Sequence, residues 1–241
     1  LNLIQVGISL ASEHGCTPDK SFTWQFNFSF DLNKEEFNHD AIDLLTSSGI
    51  DFEKLKRRGI NVMQFAEVAT GSGLILNDNI KWISFHGSFD FSYLLKILTN
   101  SPLPPSHSNF TTLMTYFFPN VFDLKYLVQE FEHYKNEGLN KLAKAIQVQR
   151  IGPMHQAGSD ALLTLCCYFK LKEEIFRGEP AIMEKGHNVV FGIGRGHNYN
   201  SSYLSTYTQF NDSAFPKENL IPPWSQGYPQ MHQDFRMMMW I

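Results

Sequence analysis

The sequence predicts an α/β domain, a mixed β-sheet flanked by helices, in which strands come first and are then interleaved with helices. Two stretches carry that prediction. Residues 22–30 (FTWQFNFSF) alternate cleanly, with Phe22, Trp24, Phe26, Phe28 and Phe30 on one face and Thr23, Gln25, Asn27 and Ser29 on the other. That is the period of a half-buried antiparallel strand. Residues 80–85 (IKWISF) read as a buried strand that runs straight into a turn and a helix.

The remaining elements follow in chain order. Residues 3–10 (LIQVGISL) are apolar and β-branched, a first strand, and the turn-rich residues 13–21, with Gly15 and Pro18, lead to the second. Asn33 is placed to cap a helix over 35–45, which Ser47, Ser48 and Gly49 stop. Two shorter helices, near 52–58 and 62–69, end at Gly59 and at Gly71 and Gly73. After 80–85 a helix runs through Leu98, and Pro102, Pro104 and Pro105 break the chain before another near 110–117. A strand over 121–124, helices near 125–133 and 139–147, and a long helix over 157–176 complete the pattern. From 197 to 241 only five residues are charged and periodicity is lost. The chain is therefore divided into a domain over 1–196 and an irregular extension over 197–241.

Composition narrows the function classes. Lys and Arg number 20 and Asp and Glu 24, a net charge of −4, with 18% of residues charged and 21 Phe. Such a chain is too apolar for a solvated disordered polymer. With an isoelectric point near 6.1, net charge cannot drive nucleic-acid binding, so any polyanion must be held at a local site with help from cations. Cys16, Cys166 and Cys167 make no disulfide framework or metal motif; the adjacent pair sits in an apolar run and reads as small hydrophobes in a reducing compartment. No apolar run approaches the ~20 residues that span a bilayer, and no signal peptide is visible, so no membrane partner is expected. The chain opens on Leu1, not Met, and reads as a piece of something longer.

Asp90 and Asp160 are the first candidates for chemistry. Each stands in the first turn of a predicted helix, where a carboxylate also gains about 0.3–1 kcal/mol from the helix dipole and capping bonds. Ser88 is placed to cap the first of these helices, and Ser159 and Asp160 open the second. Phe89, Phe91 and Tyr93 surround Asp90, and His155 precedes Asp160 by a short loop, so a proton acceptor and a metal-binding carboxylate can share one site. Carboxylates from separate elements suit Mg2+ or Mn2+. His86 is placed either to contact substrate or to tie down its turn. Asp123, at the end of a strand, reads as a turn residue with a place facing the site as the alternative, and Lys56, Arg57 and Arg58 as a solvated helix face with an RNA or partner contact as the alternative. Arg150, Lys141 and Lys144 could meet phosphates, again against a solvated default, and Trp24 reads as core, with a base-stacking platform as the alternative.

Longer strings are more specific. Residues 84–94 (SFHGSFDFSYL) and 150–160 (RIGPMHQAGSD) strongly resemble the Caf/Pop deadenylases, the ribonuclease subunit of the CCR–NOT complex. So do residues 23–28 (TWQFNF), 43–50 (DLLTSSGI) and the FFP…DLKYL pattern over 117–127, and the likeness runs in order from Leu1 to about Gly196.

The resemblance implies an RNase H-like fold and a DEDD-type 3′→5′ exoribonuclease that shortens poly(A) tails of mRNA, releasing AMP with two divalent metal ions, Mg2+ or Mn2+. Asp90 and Asp160 match metal-binding, catalytic aspartates of the second and third motifs, and His155 matches the histidine proposed to deprotonate the attacking water. It further implies poly(A) RNA, a NOT scaffold subunit and Tob/BTG-type adaptors as partners, in cytoplasm and nucleus. The family's first motif, an Asp-x-Glu on a strand ahead of residues 3–10, is not in this sequence, so the chain by itself is expected to lack that strand and to be inactive or weak. Asp51 and Glu53 have the spacing but open a helix. Two alternatives remain: a catalytically inactive interaction module of the complex, and another DEDD-type exonuclease.

Overall fold

The computed structural model describes residues 2–18, 21–178 and 180–193; the expected extension over 197–241 lies outside them. Strands β1 (Gln5–Ser9) and β2 (Thr23–Asn27) pair antiparallel with Gly7 opposite Gln25, and β3 (Trp82–Ser84) and β4 (Val121–Asp123) pair parallel with Ile83 opposite Phe122. Both pairings of the expected mixed sheet are present, as two separate two-stranded sheets among the described residues. Helices α1 (His39–Ser47), α2 (Phe52–Arg58) and α3 (Val62–Gly71) follow β2. Helices α4 (Ser88–Thr99) and α5 (His107–Phe117) lie between β3 and β4. After β4 come α6 (Leu124–Leu127), α7 (Leu139–Ala145), α8 (Ala157–Glu174) and α9 (Pro180–Gly186).

Helix α8 organises the molecule. It buries residues around most of its circumference, from Gly158 and Ala161 through Leu163, Thr164 and Leu165 to Cys167, Tyr168 and Leu171. A helix buried that widely is a core element rather than a surface one. One side packs on β1 and β2, and another meets β3 and α7. The core on its far side joins Ile83, Leu124, Leu127 and Leu142 to α8. A second core gathers Val6, Ile8, Phe28, Phe91, Leu95 and Trp82, whose ring stands edge-on to Phe118 at 4.6 Å.

Local rules account for most boundaries and fail at instructive ones. Asp51 caps α2 through the Lys54 backbone N–H at 2.9 Å, the helix-start role its context predicts. The expected cap of α1 is corrected from Asn33 to Asn38, which accepts from the Ala41 N–H at 3.1 Å while Asn33 sits in a turn on Asp31. Gly59 ends α2 with an ordinary negative φ of −63°, so left-handed geometry is not its reason. A Cβ there would lie 2.3 Å from the Ser29 nitrogen, and glycine is required by close approach to the chain after β2. Trp24 is 37% exposed, not core. Strand β2 stops at Asn27, and Phe28 and Phe30 reach the core from beyond it. Helix α6 ends at Leu127 in a 3-10 turn instead of continuing to 133, and α9 is a helix that local pattern did not reveal.

Candidate active site

The site is built on the first turn of α8, and polar side chains of the β1–β2 pair support that turn. A helix start leaves backbone N–H groups without intrahelical partners. Here the Gln5 side-chain oxygen accepts from the Ala157 N–H at 3.3 Å and the Gln25 oxygen from the Gly158 N–H at 2.9 Å. The amide nitrogens of Gln5 and Gln25 both donate to the Gln156 side-chain oxygen, at 3.1 and 2.9 Å, and Gln156 Nε2 donates to the Ser48 carbonyl at 3.0 Å. The polar face of β2 is thus an anchor for α8. Gly7 lets the two backbones meet, since a Cβ there would stand 2.0 Å from the Ala157 carbonyl oxygen.

The loop before α8 folds back over its first turn. Ser159 does not cap the helix, whose first residue is Ala157; its hydroxyl donates to the Ile151 carbonyl at 2.8 Å and accepts from Arg150 Nη1 at 2.9 Å. Arg150 Nη1 also lies 2.6 Å from an Asp160 carboxylate oxygen, and its Nε donates to Asn140 Oδ1 at 2.7 Å. Arg150 is therefore fixed at three points, and the solvated-face expectation for it is corrected. Lys141 instead pairs with Glu137, and Lys144 lies exposed on α7. His155 is exposed in a left-handed conformation, φ 62°, that a non-glycine residue adopts at a cost.

Asp90 reaches the same region from α4. Its helix starts after Gly87, with no side-chain cap, so Ser88 is the first helical residue and not the cap. The turn ahead of it is held by Asp123, fully buried, which accepts from the N–H groups of His86, Gly87, Lys125 and Phe191 at 2.8–3.2 Å. Asp123 is the turn residue its position suggested. His86, φ 63°, is left-handed like His155, and its ring stands edge-on to Phe191 at 4.8 Å. Burial pushes the His86 imidazole below its ordinary range, Lys125 adding and Asp123 opposing, so the ring is neutral at neutral pH.

Electrostatics join the two helix starts. Burial raises the Asp90 carboxyl well above the usual range, and the charges of Asp123 and Asp160 push the same way. Asp160 is also raised by burial, against the Arg150 guanidinium and His155, which lower it. The structure thus brings Asp90 and Asp160 within mutual influence, with His155 beside Asp160. His86 lies at the α4 end, on Phe191. Among the described residues no group of three or more His, Cys, Asp or Glu side chains is gathered to hold a metal. Two hard-oxygen donors that are shielded from water and repel one another do fit a divalent cation between them. Sequence reasoning missed the grip of Arg150 and the Gln5–Gln25–Gln156 support; the only sequence signal for the latter was the polar face of β2.

Comparison with known proteins converges on one group. The profile of the CAF1 family ribonuclease matches residues 74–168. Poly(A) ribonuclease pop2 of Schizosaccharomyces pombe is 42% identical over 194 residues, 80% of this chain and 57% of that protein. The chain thus spans little more than half the length of that relative. The structure of S. pombe Pop2p in its Mg2+ and Mn2+ bound form superposes with a TM-score of 0.75 at 42% identity, covering 80% of this chain and 75% of that one. Yeast CAF1, co-crystallised with the MIF4G domain of NOT1, gives 0.69 at 31% identity, over 79% and 75%.

Proposed function

Because the chain belongs to the CAF1 ribonuclease family, with the RNase H-like fold of that family, we propose that it serves as a 3′→5′ exoribonuclease that shortens mRNA poly(A) tails and releases AMP. The observation that carries this reading is the Asp90–Asp160 pair at two helix starts, both carboxyls raised by burial and Asp90 further by the charges of Asp123 and Asp160. Asp90 and Asp160 would hold divalent cations, Mg2+ or Mn2+, and two such ions, when bound, supply charge neutralisation at the phosphodiester and acidify the attacking water. The chain's own groups do the rest. The Asp123 clamp and the Gln5–Gln25 support fix the two helix starts, Arg150 orients the Asp160 carboxylate, and His155 accepts the proton of the water at an imidazole nitrogen. His86, neutral and braced on Phe191, is placed to contact the terminal nucleotide.

The NOT1 MIF4G domain co-crystallised with yeast CAF1 supports a NOT scaffold as a partner of this chain. Tob/BTG-type adaptors as further partners, and a place in cytoplasm and nucleus, rest on the family resemblance alone. The test is release of AMP from a poly(A) oligonucleotide by the full-length protein with Mg2+ or Mn2+. Asp160→Ala is expected to abolish it, and an unchanged rate would sink the assignment. A second reading is favoured by Arg150, which already occupies one Asp160 oxygen: a module that holds its place in the complex without hydrolysing RNA. No AMP release by the wild-type full-length protein under either cation would select that reading.

A further inference from the structure

Helix α2 carries four cations in seven residues, Lys54, Lys56, Arg57 and Arg58, on a chain whose net charge is −4. They divide by face. Lys56 turns to Asp31, its Nζ 3.2 Å from a carboxylate oxygen. Lys54, Arg57 and Arg58 stand at i, i+3 and i+4 on one stripe, all exposed, and make no ion pair among the described residues. Like charges at that spacing repel. The helix dipole favours Arg57 and Arg58 in the last turn but disfavours Lys54 in the first. Helix stability therefore does not account for the stripe. With Asp51 these three residues line an open concavity of about 360 Å³. Asp51 is there as the cap, one of its oxygens accepting from the Lys54 N–H, and three cations against its single charge leave the concavity net cationic.

The concavity is coupled to the candidate active site. Ser48, at the end of α1, donates from its hydroxyl to the His155 carbonyl at 3.5 Å and accepts from Gln156 at 3.0 Å. Asp51 follows three residues after Ser48 and caps α2, whose seven residues extend over roughly 10 Å, at ~1.5 Å rise per residue. A strand whose end lies at Asp90 and Asp160 can reach the concavity a few nucleotides back.

We propose that Lys54, Arg57 and Arg58 form a second RNA contact, one that holds backbone phosphates a few nucleotides from the 3′ end; it rests on the activity proposed above. Exposed, unpaired cations hold a flexible polyanion without reading its bases, so the contribution depends on length and salt rather than on sequence.

The test compares equilibrium binding of fluorescent A20 and A3 oligonucleotides, under chelator to prevent hydrolysis, across a range of salt. The variants are Lys54→Gln/Arg57→Gln/Arg58→Gln and the charge-matched control Lys135→Gln/Lys170→Gln/Lys185→Gln. The α2 variant is expected to bind A20 roughly tenfold more weakly, to lose most of the preference for A20 over A3, and to show a salt slope smaller by about 2, three contacts at ~0.7 each. Its melting temperature is expected not to fall, since the substitution relieves repulsion along α2. Equal loss in variant and control would overturn the proposal, because overall charge would then suffice. So would full A20 affinity combined with lost binding to a polyglutamate peptide, which would assign the concavity to an acidic protein partner. A wild type that neither binds nor degrades A20 would overturn the proposed activity along with it, whereas a wild type that does both, matched by the α2 variant, overturns the second contact alone.

Discussion

Asp123 at the end of β4 and the Asp90–Asp160 pair at the mouths of α4 and α8 are neighbouring carboxylates, all raised by burial, that the fold supplies with donors very unequally. Asp123 is out of contact with water and burial raises its carboxyl, but four backbone N–H groups converge on its two oxygens and oppose that rise. Asp90 also lies where burial raises its pKa, but only its own backbone N–H opposes that, and two further carboxylates repel it. Asp160 has one cation, Arg150, and a nearby His155. A buried charge that the fold satisfies is structural; it holds the His86–Gly87 turn. A pair that the fold brings together and leaves repelling is a place where an external cation would relieve the cost.

The largest test of that contrast is Asp123→Ala. It leaves four N–H donors without their acceptor and is expected to cost about 3–5 kcal/mol in a denaturant titration, enough to threaten folding. A loss below about 1 kcal/mol would erase the distinction between the two regions. Next, Arg150→Ala strips Asp160 of its one fixed cation, with both side chains only 15% and 17% exposed. A loss of about 2–3 kcal/mol is expected, together with weaker Mn2+ binding by calorimetry if Arg150 orients the carboxylate. Tighter Mn2+ binding would instead make Arg150 a competitor of the metal.

Gly7→Ala forces a methyl against the Ala157 carbonyl, and about 2 kcal/mol is expected to be lost as α8 moves off β1. Because α8 carries Asp160, AMP release is expected to fall by more than the unfolded fraction explains. Activity that merely tracks the folded fraction would show that the β1–β2 support does not position the site.

The smallest effect is on the other side of zero. Below pH 3.8, its ordinary value, Asp90 is protonated folded or unfolded and costs nothing. As pH rises toward its elevated folded-state pKa, the native state holds a proton that the unfolded state has released, so stability falls. Asp90→Asn removes that slope. Under chelator the variant is expected to melt slightly above the wild type at pH 7 and to match it near pH 4, and added Mg2+ is expected to raise only the wild type. A variant that melts lower at pH 7 would place Asp90 among the satisfied carboxylates with Asp123.

Much of the fold could be read directly from the chain. The bounds of α2, the alternation of β2 and the first-turn positions of Asp90 and Asp160 depend on neighbours within a turn or two. The same locality explains the misses. Asn33 and Asn38 are equally good caps by residue type, and Trp24 shares its stripe with Phe28 although only Phe28 has a partner above it. Local pattern therefore determined which elements form and where the two aspartates enter their helices. Tertiary structure alone decided that Gln5 and Gln25 would receive the start of α8 from more than 130 residues away, and that Asp123 would take four N–H groups from three segments. It also decided that Arg150 would lock onto Asp160. Propensity and periodicity act over a few residues, whereas desolvation and the pairing of buried charges exist only once distant segments have closed around them.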